Sequence, residues 1–386
     1  MDFALNEEQL AFQQAARTFA RAELAPHAAH WDATEEFPCA TIARAGEYGF
    51  CGVYTPEALG GMGLSRLDAS IIFEELAAGC TSTTAYLTIH NMVTWLVAKW
   101  ASGRFAQEWV PELAAGRKLG SYCLTEPNAG SDAASLETRA EKRADRYYLN
   151  GNKVFISGAG ATDLLVVFAR TGEKGAKGIS TFAVPSSSPG ISFGKKEHKM
   201  GWNSQPTRAI TFDNVEVPES QRLGAEGEGF TIAMKALDGG RINIATCSIG
   251  TAQAALERAQ SHLTQRRQFG RVLADFQALQ FRLADMLTEL VAARQMTRLA
   301  AWKLDSGSPN ASAYCAMAKR FATDAGFEIA NAALQLHGGY GYIREFPLER
   351  HVRDNRVHQI LEGTNEIMRV IIARAILRDG ATEELR

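Results

Sequence analysis

The chain has 386 residues, enough for two or three domains at roughly 150 residues each, so a single small binding module is excluded. With 46% hydrophobic and 22% charged residues it has the make-up of a globular protein with a large core, not of a disordered, collagenous or coiled-coil chain. The 41 basic and 43 acidic residues leave a formal charge of -2, which offers no global field to nucleic acid or to an anionic membrane and leaves only a local basic patch open.

Residues 6–24 read as a helix, with Asn6 as cap, Gln9 at the capping-box position, and Leu10, Phe12, Ala16 and Phe19 along one face. Helical patterns continue over 67–78, 86–99 and 105–115, with Pro38, Gly60-Gly61 and Gly103 as connections. From about Leu119 short β-prone runs take over: Tyr147-Leu149, Val154-Ile156, Leu164-Phe168, Ile179-Val184 and Ala209-Phe212, punctuated by Asn150-Gly151, Gly172, Gly175, Pro189-Gly190 and Asn214. After GAEGEGF the helical period returns over about 230–265, 276–303, 312–336 and 363–377, at lengths that call for a bundle. The expected organisation is an α+β multidomain chain. An all-helical domain over 1–118 precedes a β domain over 119–224 and a helical bundle over 225–386.

The six cysteines, at positions 39, 51, 80, 123, 247 and 315, form no C-x-x-C pair, so neither a zinc site nor a disulfide framework is expected and a reducing compartment fits. No stretch approaches ~18 apolar residues, and the first residues carry neither a secretory nor an Arg-rich transit pattern. The expected location is bacterial cytoplasm, with a mature mitochondrial matrix protein as the alternative.

Motifs for Walker-type phosphate loops, dinucleotide fingerprints, zincins and esterase elbows are all missing from the sequence. Three other stretches combine glycine with hydroxyls, amides and carboxylates. Cys123 to Asp132 (CLTEPNAGSD) offers backbone N–H groups and the Thr125 and Ser131 hydroxyls to a polar ring edge or a phosphate, or is a plain surface turn. Gln335 to Tyr342 (QLHGGYGY) ends an apolar helix, where the glycines allow close approach of a ligand or simply cap the helix. In Leu361 to Glu366 (LEGTNE) a carboxylate follows two apolar residues. Desolvation would raise its pKa toward that of a general base, while its bland reading is an acid favoured at a helix N-terminus.

Taken in this order the three stretches resemble the signatures of the acyl-CoA dehydrogenase family: CLTEPNAGSDAAS fits the first, and the run from Gln335 to Asp354, with its Q-x-x-G-G-x-G core, fits the second. The resemblance covers essentially the whole chain. It implies a β-barrel-like middle domain, a C-terminal four-helix bundle, noncovalent FAD between them, and an acyl-CoA thioester lying against the flavin. The positions matching flavin contacts are Tyr122, Leu124, Thr125, Gly130, Ser131, Phe155, Ile156 and Ser157. Most relatives carry Trp where Phe155 stands. Arg266, Phe269, Gln335, Gly338 and Gly339 match positions that hold the FAD of a neighbouring subunit, and Thr364 and Glu366 match further cofactor contacts. A homotetramer is implied, with electron transfer flavoprotein as redox partner.

By the same resemblance Glu362 is the base that takes the α-proton while the β-hydrogen leaves as hydride to flavin N5, giving a trans-2-enoyl-CoA. The thioester carbonyl is then polarised by the base's own N–H and a ribityl hydroxyl. Ser131, Asp238, Arg241 and Gly363 match substrate contacts. Relatives acting on isovaleryl-CoA place their glutamate at the position of Gly240 and have a small residue at that of Glu362, the reverse of this chain. Nitroalkane oxidases of the fold carry Asp at the base position.

The stretches FISGAG, SFGKKEHKMGWNSQPTRA, GGRINIA and VRDNRVHQILEGTNE point within the family to the branch oxidising isobutyryl-CoA in valine breakdown. The alternatives are 2-methylbutyryl- or butyryl-CoA, and a flavin- and DNA-binding stress protein of the same fold, which the near-neutral charge disfavours. Tyr86, Asn91, Met92 and Trp95 fall on a helix that borders the pocket in relatives, at least two of them as core packing.

Overall fold

The computed structural model describes residues 4–380. The outer ends of the first and last expected domains, residues 1–3 and 381–386, lie outside the described residues. Six helices come first: α1 (Glu7–Phe19), α2 (Ala28–Thr34), α3 (Cys39–Glu47), α4 (Arg66–Gly79), α5 (Thr81–Trp100) and α6 (Gly103–Ala114). The helix read over 6–24 is α1 plus one wide turn, Ala20–Leu24. Its expected capping box is present: the Gln9 N–H donates to Asn6 Oδ1 at 2.8 Å and the Asn6 N–H to Gln9 Oε1 at 3.2 Å. Ser65 and Asp68 start α4 by the same device. α5 is buried on nearly every side, which its many small hydroxyl residues allow because they bond back to the chain, as Thr88 does to the Ala85 carbonyl at 2.7 Å.

Eight strands follow: β1 (Gly120–Cys123), β2 (Arg139–Arg143), β3 (Arg146–Ser157), β4 (Leu164–Arg170), β5 (Ile179–Pro185), β6 (Ile191–Lys196), β7 (Thr207–Pro218) and β8 (Arg222–Leu223). They form one sheet in the order β6-β7-β3-β2-β4-β5-β8, with β1 running parallel to β4 from Gly120↔Leu164 to Cys123↔Val167. The two runs read at Tyr147-Leu149 and Val154-Ile156 are one strand, a correction to the turn expected at Asn150-Gly151. Asn150 faces Asn214 of β7, whose N–H donates to Asn150 Oδ1 at 2.8 Å, and the register slips between Leu149 and Gly151. Two turn-formers set opposite each other build a bulge instead of ending two strands.

The continuous apolar run of β4 is explained by burial of both its faces. Leu164, Val166 and Phe168 pack with Met92 and Val97 of α5, while Leu165, Val167 and Ala169 pack with Tyr147, Phe182 and Val184 on the other side. This anchors the sheet on α5 and carries β1, hydrogen-bonded beside β4, to the edge of the site.

The C-terminal bundle comprises α7 (Gly229–Gln265), α8 (Gln277–Asp305), α9 (Ala311–Leu336), α10 (Leu348–Arg356) and α11 (Asn365–Asp379), with α9 packed against the other four. α7 runs unbroken through Gly239-Gly240. α10 has no counterpart in the sequence reading, since its buried face is Leu348, His351, Asp354 and Asn355 and shows no apolar period. Among the described residues no helix is long and apolar enough to cross a membrane.

Candidate active site

A cavity of about 660 Å³ opens where β1 and β3 end, the first turns of α7 pass, and the turn before α11 turns inward. Most of the residues singled out in the sequence meet there: Tyr122, Leu124, Thr125, Gly130, Ser131, Phe155, Ile156 and Ser157 on the sheet side, with Arg241, Glu362 and Gly363 on the helical side. The rest of the helical wall is apolar apart from Arg374 of α11, and includes Ile89, Met92, Met234, Leu237, Ile367 and Val370. Of the four α5 residues weighed earlier only Met92 lines the cavity. Tyr86 is core, and Asn91 braces the chain by accepting the Val53 N–H at 2.8 Å and donating to the Phe50 carbonyl at 2.8 Å.

Glu362 reaches the cavity from a strained turn. Its φ is 54° and that of Gly363 is 88°, left-handed values that a glycine adopts freely and a glutamate does not. Phe155 at 57° and Trp202 at 55°, both on the cavity wall, share this conformation. The carboxylate has room because α7 carries Gly240 opposite it: a Cβ there would stand 2.5 Å from Glu362 Oε2.

Part of Glu362 borders the open cavity, yet Oε2 is buried and makes no hydrogen bond. Burial pushes the carboxyl up to about 7, against the pull of the nearby Arg241 and Lys319 charges. The Glu362 N–H also finds no acceptor among the described residues. One turn thus carries both an unbonded carboxylate oxygen and an amide donor with no internal acceptor, on a residue that lines the cavity.

Arg241 reaches the wall from α7, held by Asp238 Oδ1 at 2.6 Å. Asp238 itself stays behind the wall, its second oxygen taken by the Ser312 hydroxyl. Within the chain its contacts are Arg241 and Ser312. On the sheet side the loop after β1 is tied down by a fully buried ion pair. Lys153 Nζ donates to Glu126 Oε1 at 2.7 Å and to the Leu124 carbonyl at 3.0 Å, and Glu126 accepts the Glu137 and Thr138 N–H groups. Thr125 is further fixed by its carbonyl, which accepts the Val154 N–H at 2.9 Å.

A second depression, about 530 Å³, is lined by Arg266, Gln335, Gly338 and Gly339, together with His262, Gln268, His337 and Tyr340. Phe269 lies in the adjoining hairpin Arg267–Gln268 / Arg271–Val272, 91% exposed. Neither Gly338 nor Gly339 has any atom within 4 Å of the place a Cβ would take. Thr364 caps α11, accepting the Ile367 N–H at 3.3 Å, and Glu366 stands exposed beside it. None of these residues joins the cavity that holds Glu362.

Sequence reasoning missed three contributors. Trp202 comes from the loop between β6 and β7 and is fixed by α10 and the turn after it, its N–H on Asp354 Oδ1 at 2.7 Å and its indole on His358 Nε2 at 3.1 Å. Lys153 and Lys319 are fully buried cations. Lys319 had a signal: it falls on the buried stripe Cys315, Ala318, Ala322, where a charge needs a reason.

Comparison with known families and structures follows this geometry. The family models for the acyl-CoA dehydrogenase N-terminal, middle and C-terminal domains match residues 6–117, 121–215 and 227–377. The chain is 54% identical over 375 residues to the mitochondrial isobutyryl-CoA dehydrogenase of Bos taurus, covering 97% of this chain and 90% of that one. Butyryl-CoA dehydrogenase from Megasphaera elsdenii superposes with a TM-score of 0.95 at 39% identity, over 98% of this chain and all of that one. The FAD complex of PigA does so with a TM-score of 0.94 at 28% identity, over 98% and 100%.

Proposed function

Given that the chain belongs to the acyl-CoA dehydrogenase family, an oxidoreductase family with FAD as cofactor, we propose that it removes the α- and β-hydrogens of isobutyryl-CoA with Glu362 as base. The observation that carries this reading is the buried, unbonded Glu362 Oε2 facing the cavity.

The sheet-side wall fits a flavin. Phe155 is a large aromatic left 66% exposed over the cavity, and the Thr125 and Ser157 hydroxyl residues stand beside it, a combination suited to a planar ring with a polar edge. Bound there, FAD supplies the acceptor for the β-hydrogen as hydride. Every other task falls to the protein. Glu362 takes the α-proton and its N–H donates to the thioester carbonyl, where negative charge develops. A carboxyl held near pH 7 is matched to proton transfer at neutral pH. The apolar side chains of the helical wall, Ile89, Met92, Met234 and Leu237 among them, exclude water from the acyl group, and Arg241 with Gly363 borders the thioester. Ser131 is assigned to the substrate as well as to the ring.

The residues of the second depression are assigned to the FAD of a neighbouring copy, consistent with a homotetramer, and electron transfer flavoprotein is the proposed acceptor of the electrons. Isobutyryl-CoA as substrate is supported by the identity with the Bos taurus enzyme. Anaerobic mixing of the flavin-loaded protein with a panel of acyl-CoAs tests the reading. Isobutyryl-CoA should bleach the flavin fastest, and Glu362→Gln should abolish bleaching. Preference for butyryl-CoA would discard the branched substrate and keep the base, whereas full-speed bleaching in the variant would discard the base.

A further inference from the structure

Behind the Glu362 turn, on α9, lies a lysine that the proposed chemistry leaves unused. Lys319 is fully buried, and its Nζ donates to the Gly363 carbonyl at 2.7 Å and to Asn365 Oδ1 at 2.9 Å. The Asn365 amide cannot turn away, because its Nδ2 donates to Asp324 Oδ1 at 2.7 Å and to Thr323 Oγ1 at 2.9 Å. Lys319 therefore grips both ends of the segment that follows the base.

The two cations near Glu362 differ in how their charge is met. Arg241 is in contact with a carboxylate, Asp238, at 2.6 Å. Both partners of Lys319 are neutral oxygens, so its charge has no counter-ion in contact. A neutral donor would satisfy those oxygens without the cost of desolvating an ammonium. The retained charge needs a use, and among the carboxylates acting on Lys319 the strongest influence comes from Glu362.

We propose that Lys319 is the positioning residue of the base: it clamps the Gly363 carbonyl so that the left-handed turn presents the Glu362 carboxylate to the cavity, and its charge favours the ionised form of that carboxylate. The proposal rests on the reading of Glu362 as base. The charged groups facing Lys319 are Glu362 from the turn, Arg241 from α7, Asp324 from its own helix and Glu366 from α11; His358 also faces it and is neutral. Burial pushes Lys319 down to about 7 while the Glu362 charge pulls it back up, and the same pair acts in reverse on Glu362. When Glu362 has taken a proton the attraction disappears, so the two groups titrate as a unit.

The test compares the flavin-loaded wild type with Lys319→Gln, which still donates to the Gly363 carbonyl but carries no charge, and with Lys319→Arg. The quantity read is kcat/KM for the preferred acyl-CoA from pH 5.5 to 9.5, with flavin content and thermal midpoint measured alongside. Lys319→Gln should move the acid limb up by about one pH unit, so that the rate at pH 6 falls about tenfold and the loss shrinks toward pH 9. Lys319→Arg should keep the wild-type limb. An equal loss at every pH, or no loss, in Lys319→Gln would overturn the proposal. If Lys319→Gln does not fold, the limb is read from Lys319→Met in its place: a limb moved up upholds the proposal, and an unmoved limb overturns it. Glu362→Gln separates the two readings: an active Glu362→Gln removes the base itself, whereas an inactive one beside an unshifted Lys319→Gln removes only the role of Lys319.

Discussion

Glu362 Oε2 lies 2.5 Å from the point where Gly240 would carry a Cβ, so the helix α7 and the turn before α11 compete for one small volume and glycine on α7 yields it to the carboxylate. Gly240→Ala should push the carboxylate out of line and lower the rate of flavin bleaching by about a hundredfold, the scale on which a displacement of roughly 1 Å is felt. Flavin content should be unchanged. Stopped-flow reduction by saturating isobutyryl-CoA reads this, and a variant within about twofold of wild type would show that the carboxylate finds its place without that gap.

Activity should fall on the acid side with Glu362. Its carboxyl titrates near 7, so below that value the base already holds a proton and the rate drops about tenfold per pH unit. For stability the sign is the opposite: the folded state binds this proton between about 4.5 and 7 where the unfolded chain does not, so Glu362 stabilises progressively as pH falls through that window. A pH profile of kcat/KM with its acid limb near 4.5 would contradict the buried environment described above.

The Glu126–Lys153 pair should matter more to folding than to binding. Removing one partner leaves a charge inside the sheet, and Lys153→Met is expected to cost about 3–5 kcal/mol, with Glu126→Gln/Lys153→Met recovering part of it. Urea unfolding of the three proteins measures this. A single variant as stable as wild type would mean that water reaches the site.

His358 should contribute to acid lability of the fold. Its Nε2 accepts the Trp202 indole N–H, so Nδ1 carries the hydrogen toward Ser248 Oγ at 2.7 Å, and burial pushes the ring down to about 3. The unfolded chain takes up that proton from about pH 6.5 downward, so stability is lost as pH falls from 6.5 toward 3. Asp354, lifted by burial to about 6, and Glu362 oppose this trend, which is why the comparison must be with a variant. In His358→Gln the stability difference between pH 6.5 and pH 4.5 should shift by about 2 kcal/mol, the uptake of one proton by the unfolded chain over those two pH units. An unaltered difference would exclude His358 as the sensor.

Much of the architecture was legible in the sequence because long helices repeat their apolar stripe and the β4 run is apolar throughout. The misreadings share one physical cause: local signals do not reveal what a segment meets across the fold. Asn150-Gly151 has the chemistry of a turn, and only the facing Asn214 makes it a bulge. α10 buries His351, Asp354 and Asn355, and the partners of the last two lie in Trp202 and in α9. At the site, Glu362 and the loop from Tyr122 to Ser131 were legible as motifs. Lys319 was missed because the carbonyl it holds, that of Gly363, is remote from it in sequence.

Most residues assigned to FAD line one of two depressions, around Glu362 or around Arg266, and if the proposed assignment to two neighbouring copies holds, a lone chain would offer the ring wall to one molecule and the far grip to another. Retention of the cofactor then becomes a question of mass action among copies of the chain. Dilution should release flavin with a dependence on protein concentration that a site built within one chain would not show, and added FAD should draw dispersed chains back together. Arg266→Ala would then be rescued by co-assembly with chains that are intact at Arg266 but disabled at Phe155 and Ser157, since in the mixed pair one complete site is formed from two damaged polypeptides.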